Sequence, residues 1–266
     1  SASGRRHQLE FAALHGIDYV VHAAALKQVD TAEYNPFEYI QTNIIGSQHV
    51  IEAALDAGVK RVIALSTDKA SSPVNLYGAT KLAADKLFIA ANHYASGYDT
   101  RFSVVRYGNV MGSRGSVIPF FCDLASRGVP IPVTDTRMTR FWISLPEAVE
   151  FVVESLEMMN GGELYVPMIP SMKLVDLVRA IAPDSELTEI GIRPGEKLHE
   201  EMVSIDDARR TVAGQGRYII QPTASSWGYE EPPDAVPVDE GFCYRSDSNH
   251  SWLSVEDIRD VIRDLP

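Results

Sequence analysis

An α/β fold, with a doubly wound, largely parallel sheet followed by a smaller C-terminal lobe, is predicted by three features of this 266-residue sequence. Apolar runs at residues 18–25 (DYVVHAAA), 62–65 and 101–107 (RFSVVRY) have the length and composition of strands buried on both faces. Helical periodicity separates them, most clearly over 75–92, where Leu76, Ala79, Leu82, Ala83, Lys86, Leu87 and Ile89 recur at helix spacing. Between the second run and that helix stands Ser66-Thr67-Asp68-Lys69, crowded with hydroxyls and opposite charges at a strand end, where open α/β sheets bind their ligands.

In chain order, residues 1–16 read as the tail of a helix with Leu9, Ala12 and Ala13 as its apolar stripe. The strand at 18–25 ends in Ala23, Ala24 and Ala25, whose small side chains let a ligand approach the backbone. Asn35-Pro36 offers an N-cap and a first-turn proline to a helix that runs to about Ala57 and stops at Gly58. The strand at 101–107 turns at Gly108-Asn109-Val110, and a helix is expected from Ser116 to Arg127. Residues 134–143 (TDTRMTRFWI) and 191–202 (GIRPGEKLHEEM) carry the basic residues of the second lobe. The stretch 221–247, rich in Pro, Ser, Gly and acids, reads as an extended wrap. Ser254-x-x-Asp257 caps a last helix, with Val255, Ile258, Val261 and Ile262 as its packing stripe.

A formal charge of −12 argues against a nucleic-acid or membrane-surface role. Phosphorylated ligands would then be held by local basic residues and backbone donors. Cys122 and Cys243 are isolated and supply neither metal-ligand spacing nor a disulfide framework, so a reducing cytoplasm is the simpler setting. No apolar run approaches the roughly 18–20 residues of a membrane span. His199 with Glu196 and Glu200 does not match a zinc spacing; the three read as the polar face of a helix, and no metal site is expected.

Tyr77 and Lys81 stand four apart on the 75–92 helix and so share a face. An ammonium beside a phenol favours the phenolate, lowering a pKa that starts near 10, and Tyr77 can then exchange a proton with a sugar or alcohol hydroxyl. Thr67, at the preceding strand end, supplies a third member.

Ser/Thr, Tyr and Lys in this order and setting resemble the extended short-chain dehydrogenase/reductases, which implies a Rossmann-like sheet. STDKA, PVNLYGATKLA, RYGNVMGSRGSVIPFF, MTRFWISL, GGELYVPMIPSMK and GIRPGEKLHEEM are similar, from His22 to Trp252, to the inverting UDP-N-acetylglucosamine 4,6-dehydratase/5-epimerases of pseudaminic acid synthesis. The resemblance implies a partial dinucleotide-binding domain over 1–115 and, interleaved with it, a substrate lobe and C-terminal wrap over 116–266. It places Ala23, Ala24, Ala25, Asn43, Ser66, Tyr77, Lys81, Val110 and Gly112 on NADP. Lys27, Asn109, Arg114, Val117, Arg140 and Arg193 fall on a UDP-sugar, with Arg140 and Arg193 able to clamp the diphosphate through planar forks. A homo-oligomer is expected. No G-x-G-x-x-G occurs, and Gly108-x-x-x-Gly112-x-x-Gly115 has the wrong spacing, so three strands and their helices are expected to precede this sequence in a longer protein.

The implied chemistry is a lyase reaction with Thr67, Asp68, Lys69, Tyr77 and Lys81 as the catalytic set. Oxidation at C4 of the sugar acidifies the C5 proton, which explains a redox cofactor in a net non-redox reaction. Tyr77, assisted by Lys81, accepts the proton of the C4 hydroxyl. Asp68 protonates the departing C6 hydroxyl, and Lys69, made neutral by burial, removes the C5 proton. Many sugar-nucleotide dehydratases carry Asp-Glu at this place, so Asp-Lys is a distinguishing departure. The competing readings are another NAD(P)-dependent sugar-nucleotide dehydratase or a 4-epimerase, the latter having no use for Asp68-Lys69, and a non-catalytic nucleotide-binding Rossmann protein.

Overall fold

The structure, a computed structural model, describes residues 12–95, 97–112, 117–223 and 227–263. Its strands are β1 (Tyr19–His22), β2 (Arg61–Thr67), β3 (Arg101–Tyr107), β4 (Asn109–Val110), β5 (Ile131–Val133), β6 (Thr139–Ile143), β7 (Leu164–Pro167), β8 (Ser171–Lys173), β9 (Leu187–Glu189), β10 (Glu201–Val203), β11 (Thr211–Gly214), β12 (Arg217–Ile220), β13 (Val236–Pro237) and β14 (Tyr244–Arg245). The helices are α1 (Val29–Tyr34), α2 (Pro36–Tyr39), α3 (Gly46–Ala57), α4 (Leu76–Tyr94), α5 (Val117–Ser126), α6 (Leu145–Met158), α7 (Leu174–Ile181) and α8 (Val255–Arg263).

The main sheet has seven strands in the order β1-β2-β3-β7-β12-β11-β13, parallel through β7 and antiparallel beyond it. Strands from beyond residue 116 therefore return to the sheet begun by β1. Along β2 and β3 successive side chains point to opposite faces, and both faces are covered. Val62, Ala64 and Val104 pack with Ile51, Ala54, Phe88 and Ala91 of α3 and α4. Ile63 and Val105 pack with Phe151 and Val152 of α6. A separate core of the second lobe gathers Met111, Phe121, Leu124, Trp142, Leu177 and Ile258 around α5, α7 and α8. The register Ser66↔Arg106 and Thr67↔Tyr107 brings the carboxyl ends of β2 and β3 level, so the residues that follow them open at the same edge.

Asn92 ties α4 to β3. Fully buried, it donates to Phe102 O (2.8 Å) and accepts from Phe102 N (3.0 Å). Asn92→Ala should leave a buried backbone N–H unpaired and cost about 2 kcal/mol, lowering Tm by roughly 4–8 °C in a scanning thermal melt. An unchanged Tm would show that the amide contributes nothing net.

Several expectations change. The strand expected at 18–25 is confined to β1, and Tyr19 and Val21 are 55% and 45% exposed rather than buried. Among the described strands β1 pairs only with β2, so it is an edge strand with a neighbour on one side only. Residues 1–11 of the helix expected at the start lie outside the described residues. The helix expected from Asn35 to Ala57 forms without a gap from Pro36 to Ala57, with a π-helical stretch at Ile40–Ile45 between α2 and α3, but Asn35 makes no side-chain cap because α1 precedes it and its amide turns back to Thr31 O. Gly58 ends α3 in the left-handed region, as expected. Residues 191–200 form no helix, because Pro194 and Gly195 break the pattern and Gly195 sits at φ 79°. The Ser254/Asp257 cap forms with reciprocal bonds of 2.8 and 3.2 Å. No helix among the described residues is long and apolar enough to cross a membrane.

Candidate active site

Where β2 ends, Thr67 stays extended and its hydroxyl accepts from Lys69 N, starting a single 3₁₀ turn over Asp68–Ala70. The turn sends Asp68 inward. Its Oδ1 accepts from Thr67 Oγ1 (2.8 Å) and from Lys69 Nζ (3.0 Å), and the residue is 0% exposed. Helix α4 is seated directly on this turn. Asn75 caps it by accepting from Gly78 N (2.7 Å), and a side chain at Gly78 would collide with the carbonyl oxygen of Lys69. Glycine beside Tyr77 is thus what lets the helix approach closely enough to hold Tyr77 against Thr67, Asp68 and Lys69.

The loop 191–200 is fastened to the same place. Asn75 Nδ2 donates to Gly195 O (2.7 Å), Lys197 Nζ donates to Ser71 O (2.6 Å), and the hydroxyls of Ser71 and Ser72 donate to Glu201 Oε1 (2.9 and 2.7 Å). These bonds carry Arg193 to the mouth of a cavity of about 810 Å³. Its walls bring together Ala23, Ala25, Lys27, Ser66, Thr67, Lys69, Tyr77, Lys81, Asn109, Val110, Val117, Arg140 and Arg193, all expected at a site. Asp68 lies just behind Lys69. Ala24 is exposed between Ala23 and Ala25. Gly112 takes φ 68° after β4, and Arg114 lies outside the described residues.

Asn43 stands apart. Buried in the π-helical turn, it donates to Leu26 O and Thr80 Oγ1 (3.0 Å each) and accepts from Leu26 N (2.9 Å). Its amide pins the segment after β1 to α4, which supports the cavity wall from behind.

The electrostatics overturn two expectations. Tyr77 is not shifted towards the phenolate: burial pushes its pKa up to about 12, with Lys69 opposing and Asp68 adding to the rise. Lys81 does not correct this, since its ammonium is directed at Leu65 O (2.7 Å). Burial holds the pKa of Lys81 below the usual lysine range, and Asp85 opposes that shift. Nor does burial make Lys69 neutral. Burial favours the free amine, but Asp68 at 3.0 Å and Glu200 at 3.5 Å outweigh it and raise the lysine above its usual range. Asp68 is the mirror case: burial pushes the carboxyl up, and Lys69 with the Thr67 hydroxyl brings it below its ordinary value. The pair therefore rests as carboxylate and ammonium.

Two residues not expected at the site belong to its frame. Asp85, on α4, accepts from Ser66 Oγ (2.8 Å) and from Arg106 (3.2 Å), a buried network behind Lys81. Glu200, 2% exposed, faces Lys69 and lies 3.7 Å from Arg140 Nε. The helix-breaking Pro194-Gly195 was the sequence signal that this run is a loop and can turn an acid inward. No group of three metal-ligating side chains occurs among the described residues.

Comparison with known proteins places the chain in a family. Residues 4–222 match a family model described as "Polysaccharide biosynthesis protein". A "UDP-N-acetylglucosamine 4,6-dehydratase (inverting)" of Campylobacter jejuni serotype O:23/36 is 53% identical over 258 residues, covering 94% of this chain and 77% of that protein. A "UDP-glucose 4-epimerase" of Rickettsia rickettsii is 43% identical over 199 residues, covering 73% of this chain and 58% of that protein. Among solved structures, "Pen from Bacillus thuringiensis" superposes with TM-score 0.89 at 38% identity, covering 98% of this chain and 80% of that one. The dTDP-glucose 4,6-dehydratase DesIV from Streptomyces venezuelae, solved with NAD and TYD bound, gives TM-score 0.63 at 26% identity, covering 72% and 66%. With a strand-end Thr67-Asp68-Lys69 turn, a Tyr77/Lys81 helix seated on it and these relatives at such identity, the chain belongs to the polysaccharide biosynthesis protein family, together with the inverting UDP-N-acetylglucosamine 4,6-dehydratases.

Proposed function

We propose that this chain carries out the 4,6-dehydration of UDP-N-acetylglucosamine with inversion at C5, giving a UDP-2-acetamido-2,6-dideoxy-4-keto-hexose, with NADP as its cofactor. The observation that carries the reading is the Asp68–Lys69 pair, 3.0 Å apart, with Lys69 opening beside Tyr77 into one cavity. An enzyme that only oxidises and reduces C4 has no use for that second acid/base pair. The proposal includes a homo-oligomer acting in the cytoplasm.

The walls fit the nicotinamide end of the cofactor: the small residues Ala23 and Ala25 line the same cavity as the polar groups of Ser66, Tyr77 and Lys81. A bound nicotinamide would supply the hydride acceptor for C4 and the donor for C6. The remaining work falls to the protein. Tyr77 is placed to relay the proton of the C4 hydroxyl, accepting it as its own phenolic proton passes out to solvent through the cavity. One proton moving from Lys69 Nζ to Asp68 breaks an N–H bond, forms an O–H bond and converts the resting ion pair into a carboxylic acid and a free amine. The amine then removes the C5 proton, the acid protonates the C6 oxygen as it leaves as water, and the pair returns to ammonium and carboxylate. Reprotonation of C5 from the opposite face by a solvent proton, which balances the one released from the C4 hydroxyl, gives the inverted product.

Proton NMR of the product from UDP-N-acetylglucosamine with added cofactor tests the reading. A 6-methyl signal with a C4 carbonyl is expected; UDP-N-acetylgalactosamine without loss of water would make the chain a 4-epimerase instead.

The diphosphate clamp gives a further test. Arg193 is exposed at the mouth of the cavity, on a loop held by Asn75. Removing one charge-assisted contact of about 1.5–3 kcal/mol remote from the reacting carbons takes away uniform binding. Arg193→Ala should therefore raise KM roughly ten- to a hundredfold with kcat little changed, and an unchanged KM would remove Arg193 from the site.

A further inference from the structure

The carboxylate of Glu200 is held in place from its own backbone. Glu200 N donates to Ser246 Oγ (2.9 Å), Ser246 N donates to Glu200 O (2.9 Å), and Ser246 Oγ bonds Thr139 Oγ1 (2.7 Å), which in turn meets His199 Nδ1 (2.8 Å). The C-terminal wrap thus clasps the loop before β10 onto β6. Only Glu200 Oε1 meets charged partners: Lys69 Nζ at 3.5 Å and Arg140 Nε at 3.7 Å. Oε2 is buried with no donor among the described residues, so the charge is balanced by those two cations. A buried carboxylate this close to an ammonium favours the charged amine, and removing it favours the free amine.

Resting on the reaction proposed above, we infer that Glu200 is a positioning residue for the C5 base: it fixes Lys69 at the cavity wall and governs how readily Lys69 passes its proton to Asp68. The groups facing Lys69 are Asp68 from its own turn, Tyr77 from α4, Arg140 from β6 and Glu200 from the loop before β10. Those facing Glu200 are Lys69 and Arg140, with His199, Arg137, Arg245 and Asp247 farther out around the same loop. Glu200 is the acid that can be removed without touching either member of the reacting pair.

The test compares Glu200→Gln and Glu200→Asp with the parent in the full-length protein, using two readouts. The first needs no substrate. Cyanate carbamylates only a free amine, so the rate of Lys69 labelling at fixed pH, read by peptide mass spectrometry, follows its neutral fraction. Losing an opposite charge at this range shifts a pKa by about one unit or more, so Glu200→Gln should label about tenfold faster, with Glu200→Asp in between. The second is the acid limb of the kcat–pH profile with UDP-N-acetylglucosamine, which reports protonation of the Asp68–Lys69 pair as a whole and should move to lower pH when the neighbouring negative charge is lost, while KM stays within about twofold, since uniform binding is untouched. Should Glu200→Gln not fold, Glu200→Asp carries the same comparison with a smaller shift. A labelling rate that does not change overturns the inference, as does an acid limb that stays in place when the labelling rate moves. Faster labelling in a protein that does not turn over UDP-N-acetylglucosamine supports control of Lys69 by Glu200 and overturns the proposed reaction instead.

Discussion

Lys69→Met should abolish exchange of solvent deuterium into C5 of the sugar and, with it, net dehydration, a loss of at least about 10²- to 10⁴-fold. The thioether keeps most of the apolar stem but can neither receive the C5 proton nor pass one to Asp68. The structure adds a cost. Asp68 is 0% exposed and loses its counter-ion, and breaking such a pair costs about 3 kcal/mol, the low end of the usual range because the Lys69 side chain is 23% exposed. The pH dependence of that cost follows from Asp68. In the parent its folded-state pKa is depressed, so its contribution is present above the ordinary carboxylate range and lost as pH falls through the lower folded value. Without Lys69, burial raises the folded-state pKa, so stability is present below the ordinary value and lost as pH rises through the new one. Lys69→Met should therefore melt closer to the parent at pH 5 than at pH 8, and the exchange experiment belongs at the lowest pH where the parent is active. C5 exchange at the parental rate, followed by NMR in deuterated water, would remove Lys69 as the base and leave Asp68 or Tyr77 to carry that step.

Tyr77→Phe should act one step earlier and reduce turnover by about 10²- to 10⁴-fold. Its phenol has a pKa pushed up to about 12 by burial, so in the absence of ligands Tyr77 is a protonated phenol across the working pH range. The hydroxyl matters through its position beside Thr67 and Lys69, because a neutral phenol can relay a proton without resting as phenolate. In Tyr77→Phe, removal of the C4 hydrogen becomes the slow step, so sugar deuterated at C4 should show a larger isotope effect on kcat than it does with the parent. In Lys69→Met, by contrast, any residual turnover is limited at C5. The two variants then differ in which labelled carbon slows them. A Tyr77→Phe enzyme with parental kcat and no added C4 isotope effect would assign the C4 proton to Thr67.

The strands at 62–65 and 101–107 and the helix at 75–92 were legible because buried parallel strands are continuous apolar runs and α4 keeps its spacing. Tyr77 and Lys81 could be paired on one helix for the same reason. Their expected electrostatic partnership was wrong because spacing gives a shared face, not the direction of a flexible ammonium, and Lys81 donates to the backbone carbonyl of Leu65. The burial expected over 18–25 failed on a neighbouring ground: a run of apolar residues states what a strand can bury, and β1 has a neighbour on one edge only among the described strands.

Glu200 shows the limit most clearly. It is 131 residues from Lys69 in sequence, in a segment that reads as a polar helix, and nothing local marks it as different from Glu196 or Glu201. By itself the sequence determined the strand-helix crossover, the Thr67-Asp68-Lys69 and Tyr77/Lys81 groups and the family to which they point, because these depend on residues within about 20 positions of one another and on local propensity. Only the tertiary structure decided which charges those groups carry, because protonation depends on burial and on charges a few ångströms away, and Glu200, which joins Asp68 in holding Lys69 as an ammonium, is brought there by long-range bonds through Asn75, Ser71 and Ser246.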